Sequence, residues 1–271
     1  MSSDRRSSFD HRTALITGAS AGIGKTFAEQ LAAEGYDLLL VARRAERLDE
    51  LSERLHREHG VRCEVFAGDL SEPGTPAAII ERADELGLDI DVLINNAGMS
   101  LSTKFAETPW GEVGGQLQLM LTSLTELSHR VLPGMKKRRW GRIVNVSSIT
   151  ALLPPAEGLL YSAIKSYVLL MSQSLDMELK PHGIHVTALC PGFTRSEFHD
   201  AMGAETRETA DRLPGVLWQE PEDVVREGWN AVMKGDAVCV TGMVNKLVTT
   251  AVRPIPPGIQ YFLGRTLNPF K

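Results

Sequence analysis

Three side chains in the stretch from Arg142 to Lys165, which reads RIVNVSSIT, a proline-rich loop and then YSAIK, have types suited to proton transfer: Ser148, Tyr161 and Lys165. Tyr161 and Lys165 are four residues apart, so on a helix their phenol and ammonium share one face. A free tyrosine titrates near ~10, too high to trade protons easily at neutral pH. A cation about 4 Å away stabilises the phenolate by up to roughly 4 kcal/mol at an effective dielectric near 20, before desolvation opposes it. The pair therefore predicts a tyrosine that donates or accepts a proton in the neutral range, with the Ser148 hydroxyl holding the oxygen that receives it. Tyr-x-x-x-Lys by itself describes an ordinary exposed helix pair. What lifts this one is its setting.

Ile143, Val144 and Val146 form a short apolar run that ends at Ser147 and Ser148, so a hydroxyl arrives at the carboxyl end of a strand, where open parallel sheets keep their chemistry. Near the start of the chain, Ala14, Leu15 and Ile16 run into TGASAGIG, residues 17–24, and then into a helical pattern through Phe27 and Leu31 that Gly35 ends. Strand, glycine turn and helix make a phosphate site: Gly18, Gly22 and Gly24 let the backbone come close, and the helix N-terminus offers free N–H groups. The spacing is Gly-x-x-x-Gly-x-Gly, distinct from Gly-x-Gly-x-x-Gly.

The second strand, Asp37 to Ala42, decides which dinucleotide fits. Counting about 20 residues from the glycines nominates Asp37 as the acid for the adenosine ribose. Asp37 opens its strand at the amino end, however, and the ribose belongs at the carboxyl end, where Ala42 is followed by Arg43 and Arg44. Two guanidiniums and no carboxylate predict a 2'-phosphate, hence NADP(H) over NAD(H).

These motifs resemble the short-chain dehydrogenase/reductase family from about Thr13 to Thr241. The resemblance implies a doubly wound parallel α/β sheet of about seven strands in one domain, and hydride transfer between a nicotinamide cofactor and a carbonyl or alcohol. It implies Ser148, thirteen residues before Tyr161, as the hydroxyl that orients the carbonyl oxygen, Tyr161 as the general acid/base, and Lys165 as the group that lowers the tyrosine pKa and holds the nicotinamide ribose. For the cofactor it further implies Ser20 and Ile23 in the glycine turn, Asp69 and Leu70 against the adenine, and Asn96, Ala97 and Gly98 of the NNAG motif beside the ribose. Around the nicotinamide carboxamide it implies Pro191, Gly192, the main chain near Thr194 and the Ser196 hydroxyl. Dimers or tetramers are common among such relatives.

The chain departs from that pattern in the helix expected over Trp110 to Leu132. Aligned from Leu132-Pro133-Gly134-Met135, Met120 stands where relatives place an asparagine that helps connect the lysine to solvent through water. A thioether accepts hydrogen bonds poorly and donates none. A relay through Thr122, Ser123 or backbone-bound water would replace it, and Gln116 and Gln118 find no register that does so. Otherwise turnover is slow, and the second reading is a dinucleotide-binding sensor or scaffold.

Substrate walls are expected from the loop ITALLPPAEGLL, with Leu152, Leu153, Leu159 and Leu160, from Met99 and Leu101, and from a lid over 195–220 that carries Phe198, His199, Met202 and Leu213. Together they predict a small hydrophobic carbonyl or alcohol as substrate. After Asp236 the chain has no acid, while Lys246, Arg253, Arg265 and Lys271 are spread among apolar residues and prolines. The tail, 243–271, suits an anionic membrane surface, a subunit interface or the substrate mouth.

The 271 residues are 43% hydrophobic and 23% charged, with a net charge of -5, which describes a globular protein and gives no cause to expect nucleic acid. Cys63, Cys190 and Cys239 are scattered and lack metal-ligand spacing, which fits a reducing compartment. The polar residues 1–12 lack the apolar core of a secretory signal, and no run reaches the ~20 apolar residues that span a bilayer, so a cytoplasmic location is expected.

Overall fold

The computed structural model describes residues 12–99, 104–155, 160–197 and 214–267. Leu101, Leu159, the lid residues Phe198, His199, Met202 and Leu213, the polar residues 1–11 and residues 268–271 lie outside them.

Six strands alternate with helices along the first 190 residues: Thr13–Thr17 (β1), Gly22–Ala33 (α1), Asp37–Ala42 (β2), Ala45–His59 (α2), Cys63–Ala67 (β3), Thr75–Glu85 (α3), Ile90–Asn95 (β4), Trp110–Leu117 (α4), Ser123–Arg138 (α5), Gly141–Val146 (β5), Tyr161–Leu179 (α6) and Ile184–Cys190 (β6). A short parallel pair follows, Phe193–Thr194 (β7) with Trp218–Gln219 (β8). Pro221–Lys234 (α7) and Val238–Val240 (β9) complete the sheet, and Met243–Val252 (α8) and Pro257–Leu267 (α9) lie beyond it. The seven-stranded sheet has the order β3-β2-β1-β4-β5-β6-β9, and every pair in it is parallel.

Alternation of side chains along each strand sorts the core into two halves. Ala14 and Ile16 of β1 join Leu38 and Leu40 of β2 against Phe27 and Leu31 of α1, Leu48 and Leu55 of α2, and Val225 and Trp229 of α7. Leu15, Leu39 and Leu93 point to the other face, against Ile79 of α3, Leu127 and Met135 of α5, and Leu179 of α6. The leucine-rich strands are thus buried on both faces, as continuous apolar runs require.

The strand order reverses between β1 and β4, which opens a crevice at their carboxyl ends. Thr17 ties the two strands there: its Oγ1 donates to the Ile94 carbonyl and accepts the Asn96 and Ala97 amides, each at 3.0 Å. Asn96 donates its side-chain amide to the carbonyls of Thr17 and Gly18. Gly24 belongs to this clasp, because a Cβ there would come within 2.4 Å of the Gly18 carbonyl oxygen. One strand across, Asn95 Nδ2 donates to Ser128 Oγ and Asn145 Oδ1, and Asn145 Nδ2 donates to Ser172 Oγ, so a fully buried polar chain links β4, β5, α5 and α6.

The helix expected to stop at Leu132 runs on to Arg138 with Pro133 inside it. His129, whose carbonyl loses the amide that proline lacks, is exposed, so water can serve it. Between α4 and α5 the chain widens into one π turn, Gln118–Thr122, which buries Met120. No helix among the described residues is long and apolar enough to cross a membrane.

Candidate active site

A cavity of about 880 Å³ opens at the crevice, and nearly every residue singled out from the sequence lines it. From the first half of the chain come Gly18, Ser20, Gly22 and Ile23 of the glycine turn, Arg43 and Arg44 beyond β2, Asp69 and Leu70 beyond β3, and Asn96, Ala97, Gly98 and Met99 beyond β4. From the second half come Ser148, Tyr161 and Lys165, and then Pro191, Gly192, Thr194 and Ser196. Gly24 stands behind the turn and packs against it.

Ser148 follows β5 in extended conformation, and its Oγ accepts the Thr150 amide at 3.2 Å while hydrogen-bonding the Tyr161 phenol. Tyr161 opens α6, and Lys165 lies one turn on, only 6% exposed, with Nζ donating to the Val146 carbonyl at 2.8 Å and standing 5.5 Å from the Tyr161 ring centre. Ser147 donates to the Lys165 carbonyl at 2.7 Å and so pins α6 to the end of β5.

The expectation that the lysine makes the phenol acidic does not hold in the protein by itself. Burial pushes the Tyr161 phenol up to about 12, and the bond from Ser148 only partly opposes it. Burial also pushes the Lys165 amine down to about 8. Desolvation outweighs the Ser148 bond for the phenol and the nearby Cys190 for the amine, because each charged form loses water that one neighbour cannot replace.

At the adenosine end, Arg44 donates Nε and Nη2 to Ser20 Oγ at 3.2 and 2.9 Å, and Arg43 Nη1 is 3.8 Å from Asp69 Oδ2. Burial raises the Asp69 carboxyl, but the Ser71 amide and hydroxyl on its other oxygen, with Arg43, outweigh that and hold it below its usual range. Asp69 therefore shapes its turn as well as facing the cleft. Leu70 accepts the Ser123 hydroxyl at 2.7 Å. Asp37 is spent at the amino end of β2, accepting the Arg62 amide at 2.8 Å. The residues fit a dinucleotide: the turn leaves no room for a side chain at Gly18, where a Cβ would sit 2.7 Å from Asn96 Nδ2, and Arg43 and Arg44 stand at the carboxyl end of β2.

Of the relay groups offered beside the lysine, Ser123 is buried and donates to the Leu70 carbonyl, Thr122 is exposed, and neither lines the cavity. Met120 is buried against Gly98, where a Cβ would lie 3.5 Å from Cε. Gln118 bonds Ser123, and Gln116 is buried in α4.

In the proline-rich loop, Leu153, Pro154 and Pro155 face the cavity, whereas Leu152 turns into the core beside Leu169 and Cys190. The tail contributes a wall that the sequence offered only as one of three roles. Leu263 and Gly264 of α9 line the cavity, and a Cβ on Gly264 would fall 2.0 Å from the Pro155 carbonyl oxygen. Ile259, Tyr261 and Phe262 of the same helix stay exposed. Glu197 and Arg47, neither of which drew notice in the sequence, join across the cavity mouth. Among the described residues no group of three or more histidines, cysteines or acids could hold a metal ion.

The family profile described as "short chain dehydrogenase" matches residues 12–207. A 17-beta-hydroxysteroid dehydrogenase type 3 from Danio rerio is 31% identical over 248 residues, which is 90% of this chain and 76% of that protein. A short-chain dehydrogenase from Sphingobium yanoikuyae, solved in complex with NADPH, superposes with a TM-score of 0.78 at 34% identity, over 90% of this chain and 96% of that one. A bulky-bulky ketone specific alcohol dehydrogenase from Comamonas testosteroni gives 0.74 at 31% identity, over 90% and 95%. With a profile spanning most of the chain and relatives that cover nine-tenths of it, this protein belongs to the short-chain dehydrogenase/reductase family, whose members act on alcohol and carbonyl groups.

Proposed function

We propose that the protein is an NADP(H)-dependent oxidoreductase that reduces the ketone or aldehyde of a hydrophobic small molecule, or oxidises the corresponding alcohol. The observation that carries this reading is the convergence of Ser148, Tyr161 and Lys165 on the cavity whose opposite wall is the glycine turn. Arg43 and Arg44 at the end of β2 favour the phosphorylated cofactor, in keeping with the NADPH in the Sphingobium relative. Leu153, Pro154, Pro155, Phe193 and Leu263 give the substrate side an apolar lining, which suits a bulky ketone of the kind named for the Comamonas enzyme.

Bound NADPH would supply the hydride that forms the new C–H bond at the carbonyl carbon. The Ser148 hydroxyl donates to the carbonyl oxygen, and Tyr161 passes its own proton to that oxygen as negative charge builds there. A phenol near 12 is protonated throughout the neutral range, which is the form reduction needs. Lys165 keeps most of its charge at neutral pH and stabilises the phenolate left behind. The three free cysteines suit a reducing, cytoplasmic setting, and self-association into a dimer or tetramer belongs to the same proposal.

The test mixes the purified protein with NADPH and a panel of hydrophobic ketones and aldehydes, following loss of NADPH absorbance and formation of alcohol. Turnover on at least one compound, lost by at least ~100-fold in Tyr161→Phe, supports the reading. Tight NADPH binding with no oxidation on any compound favours the sensor instead.

A further inference from the structure

Glu197 follows β7 on one side of the cavity mouth and reaches two arginines on the other. Its Oε2 accepts Arg44 Nη1 at 2.7 Å, and Arg47 Nη1 donates to both oxygens at 2.6 and 2.9 Å. Arg44 is the residue whose remaining nitrogens hold Ser20, at the end of β2 where an adenosine ribose belongs. Two guanidiniums thus share a single carboxylate. The two arginines hold the Glu197 carboxyl below its usual range, so it is ionised at neutral pH. Beside it, Ser196 leans on the glycine turn, so that a Cβ on Gly22 would come 2.9 Å from Ser196 Cβ. Behind Glu197 lies a second cavity of about 500 Å³ that bears Lys25, Arg47, Arg54 and Arg57 against Glu50. Arg54 there pairs with Glu29 and Glu58 and Lys25 with Glu29, whereas Arg44 and Arg47 both pair with Glu197.

We propose that Arg44 and Arg47 together seat the 2'-phosphate of the cofactor, and that Glu197 is its resident stand-in, a carboxylate latch that the phosphate displaces. The inference rests on the NADP(H) reading and adds to it the residue that competes for the site. A phosphate monoester brings about -1.5 to -2 charges and three acceptor oxygens, against one charge and two oxygens for the carboxylate, so exchange on the arginine pair favours the phosphate. The two anions cannot both stay within hydrogen-bonding distance of the same guanidinium nitrogens without repelling each other. The 2'-hydroxyl of NADH carries no charge with which to open the latch. Glu197 therefore taxes only the phosphorylated ligand's contact, and Arg47 is worth affinity only to that ligand.

Calorimetric titration of wild type, Glu197→Gln, Arg47→Ala and Arg44→Ala with NADPH, NADH, adenosine 2'-phosphate and adenosine 5'-phosphate tests this. Glu197→Gln should tighten NADPH and adenosine 2'-phosphate by roughly fivefold or more and leave NADH and adenosine 5'-phosphate unchanged, while Arg47→Ala should weaken the first two about tenfold and spare the others. All three side chains concerned are at the surface, so folding is not at stake. Weaker or unchanged NADPH binding in Glu197→Gln, with wild type still preferring NADPH and Arg44→Ala still losing it, overturns the latch alone. Wild type that binds NADH as well as NADPH, and ignores adenosine 2'-phosphate, overturns the cofactor reading and the latch with it.

Discussion

The Lys165 ammonium stands 5.5 Å from the centre of the Tyr161 ring and donates to the Val146 carbonyl at 2.8 Å. It is held at the end of β5, in front of the phenol, by a bond to backbone that needs no other side chain. Both groups are desolvated there, and their titrations move apart, the phenol up to about 12 and the amine down to about 8. The phenol then stays protonated throughout the neutral range. The group whose charge changes near neutral pH is the lysine.

The pH dependence of carbonyl reduction should accordingly follow Lys165. Below pH 8 the amine is charged and can stabilise the phenolate that forms as Tyr161 gives up its proton. Above it that stabilisation disappears, and kcat/KM should fall by about tenfold per pH unit. Initial rates across pH 6 to 10 check this. A profile that is flat through pH 9, or that breaks first near 10 as a free phenol would, contradicts the assignment.

The same displaced amine predicts a stability effect. Lysine titrates near 10.5 when unfolded and about 8 here, so the folded state favours the neutral form. Its contribution is fully present above 10.5 and is lost as pH falls through 8. Between those values wild type should gain up to roughly 3 kcal/mol relative to Lys165→Met, which has no proton to bind. The buried thiol of Cys63, raised to about 12, acts in the opposite sense from pH 9 upward but is unaffected by Lys165 and cancels in the difference, whereas Cys190, also raised to about 12, is coupled to Lys165 and takes a small part of the gain. Denaturant melts of the pair at pH 7.5 and pH 9.5 measure it, and an unchanged gap would show that Lys165 titrates normally.

Much of this was legible in the residues. Leu38, Leu39 and Leu40 announce a strand buried on both faces, and the direction of β2 puts Arg43 and Arg44, not Asp37, at the cavity. What could not be read depends on partners distant in the chain. Glu197 meets Arg47 across 150 residues, and nothing in the local sequence around either one marks the contact. The phenol pKa depends on how deeply the fold buries it, which spacing does not encode. Met120 as a departure was visible, whereas the π turn that buries it and the commitment of Ser123 to Leu70 were not. The tail's basic, apolar composition allowed three roles, and only the approach of Gly264 to Pro155 brings one of them to the cavity.

The buried chain Ser128–Asn95–Asn145–Ser172 should be costly to break. Asn145→Ala leaves the Asn95 amide and the Ser172 hydroxyl without the bonds they make at 2.9 Å, in a region closed to water. Asn95 keeps its bond to Ser128 and Ser172 its bond to the Val168 carbonyl, so the cost is that of two lost bonds at about 0.5–1.5 kcal/mol each, roughly 1–3 kcal/mol in total. Asn145 itself lies outside the cavity lining, so activity per folded molecule should hold. Thermal melts with active-site titration separate the two effects, and a loss under 1 kcal/mol would mean that water replaces the bonds.

Gly264 offers the sharpest test of the substrate wall. Helix α9 meets the proline-rich loop with so little space that a Cβ on Gly264 would overlap the Pro155 carbonyl, and backbone cannot step aside as a long side chain can. Gly264→Val must therefore move α9 away from the loop and shift Leu263, its neighbour on the cavity wall. Ser148 follows β5, and Tyr161 and Lys165 sit on α6, elements packed in the core away from α9, so the proton-transfer groups stay in register. A small ketone that never reaches α9 should keep its kcat/KM within about twofold, while a bulky hydrophobic ketone pressed against Leu263 should lose roughly 1–3 kcal/mol of transition-state binding, or tenfold or more, chiefly through KM. Steady-state kinetics on a ladder of ketones of increasing size reads this directly. If large and small ketones suffer alike, α9 serves the fold as a whole; if neither suffers, α9 is not a wall of the working pocket.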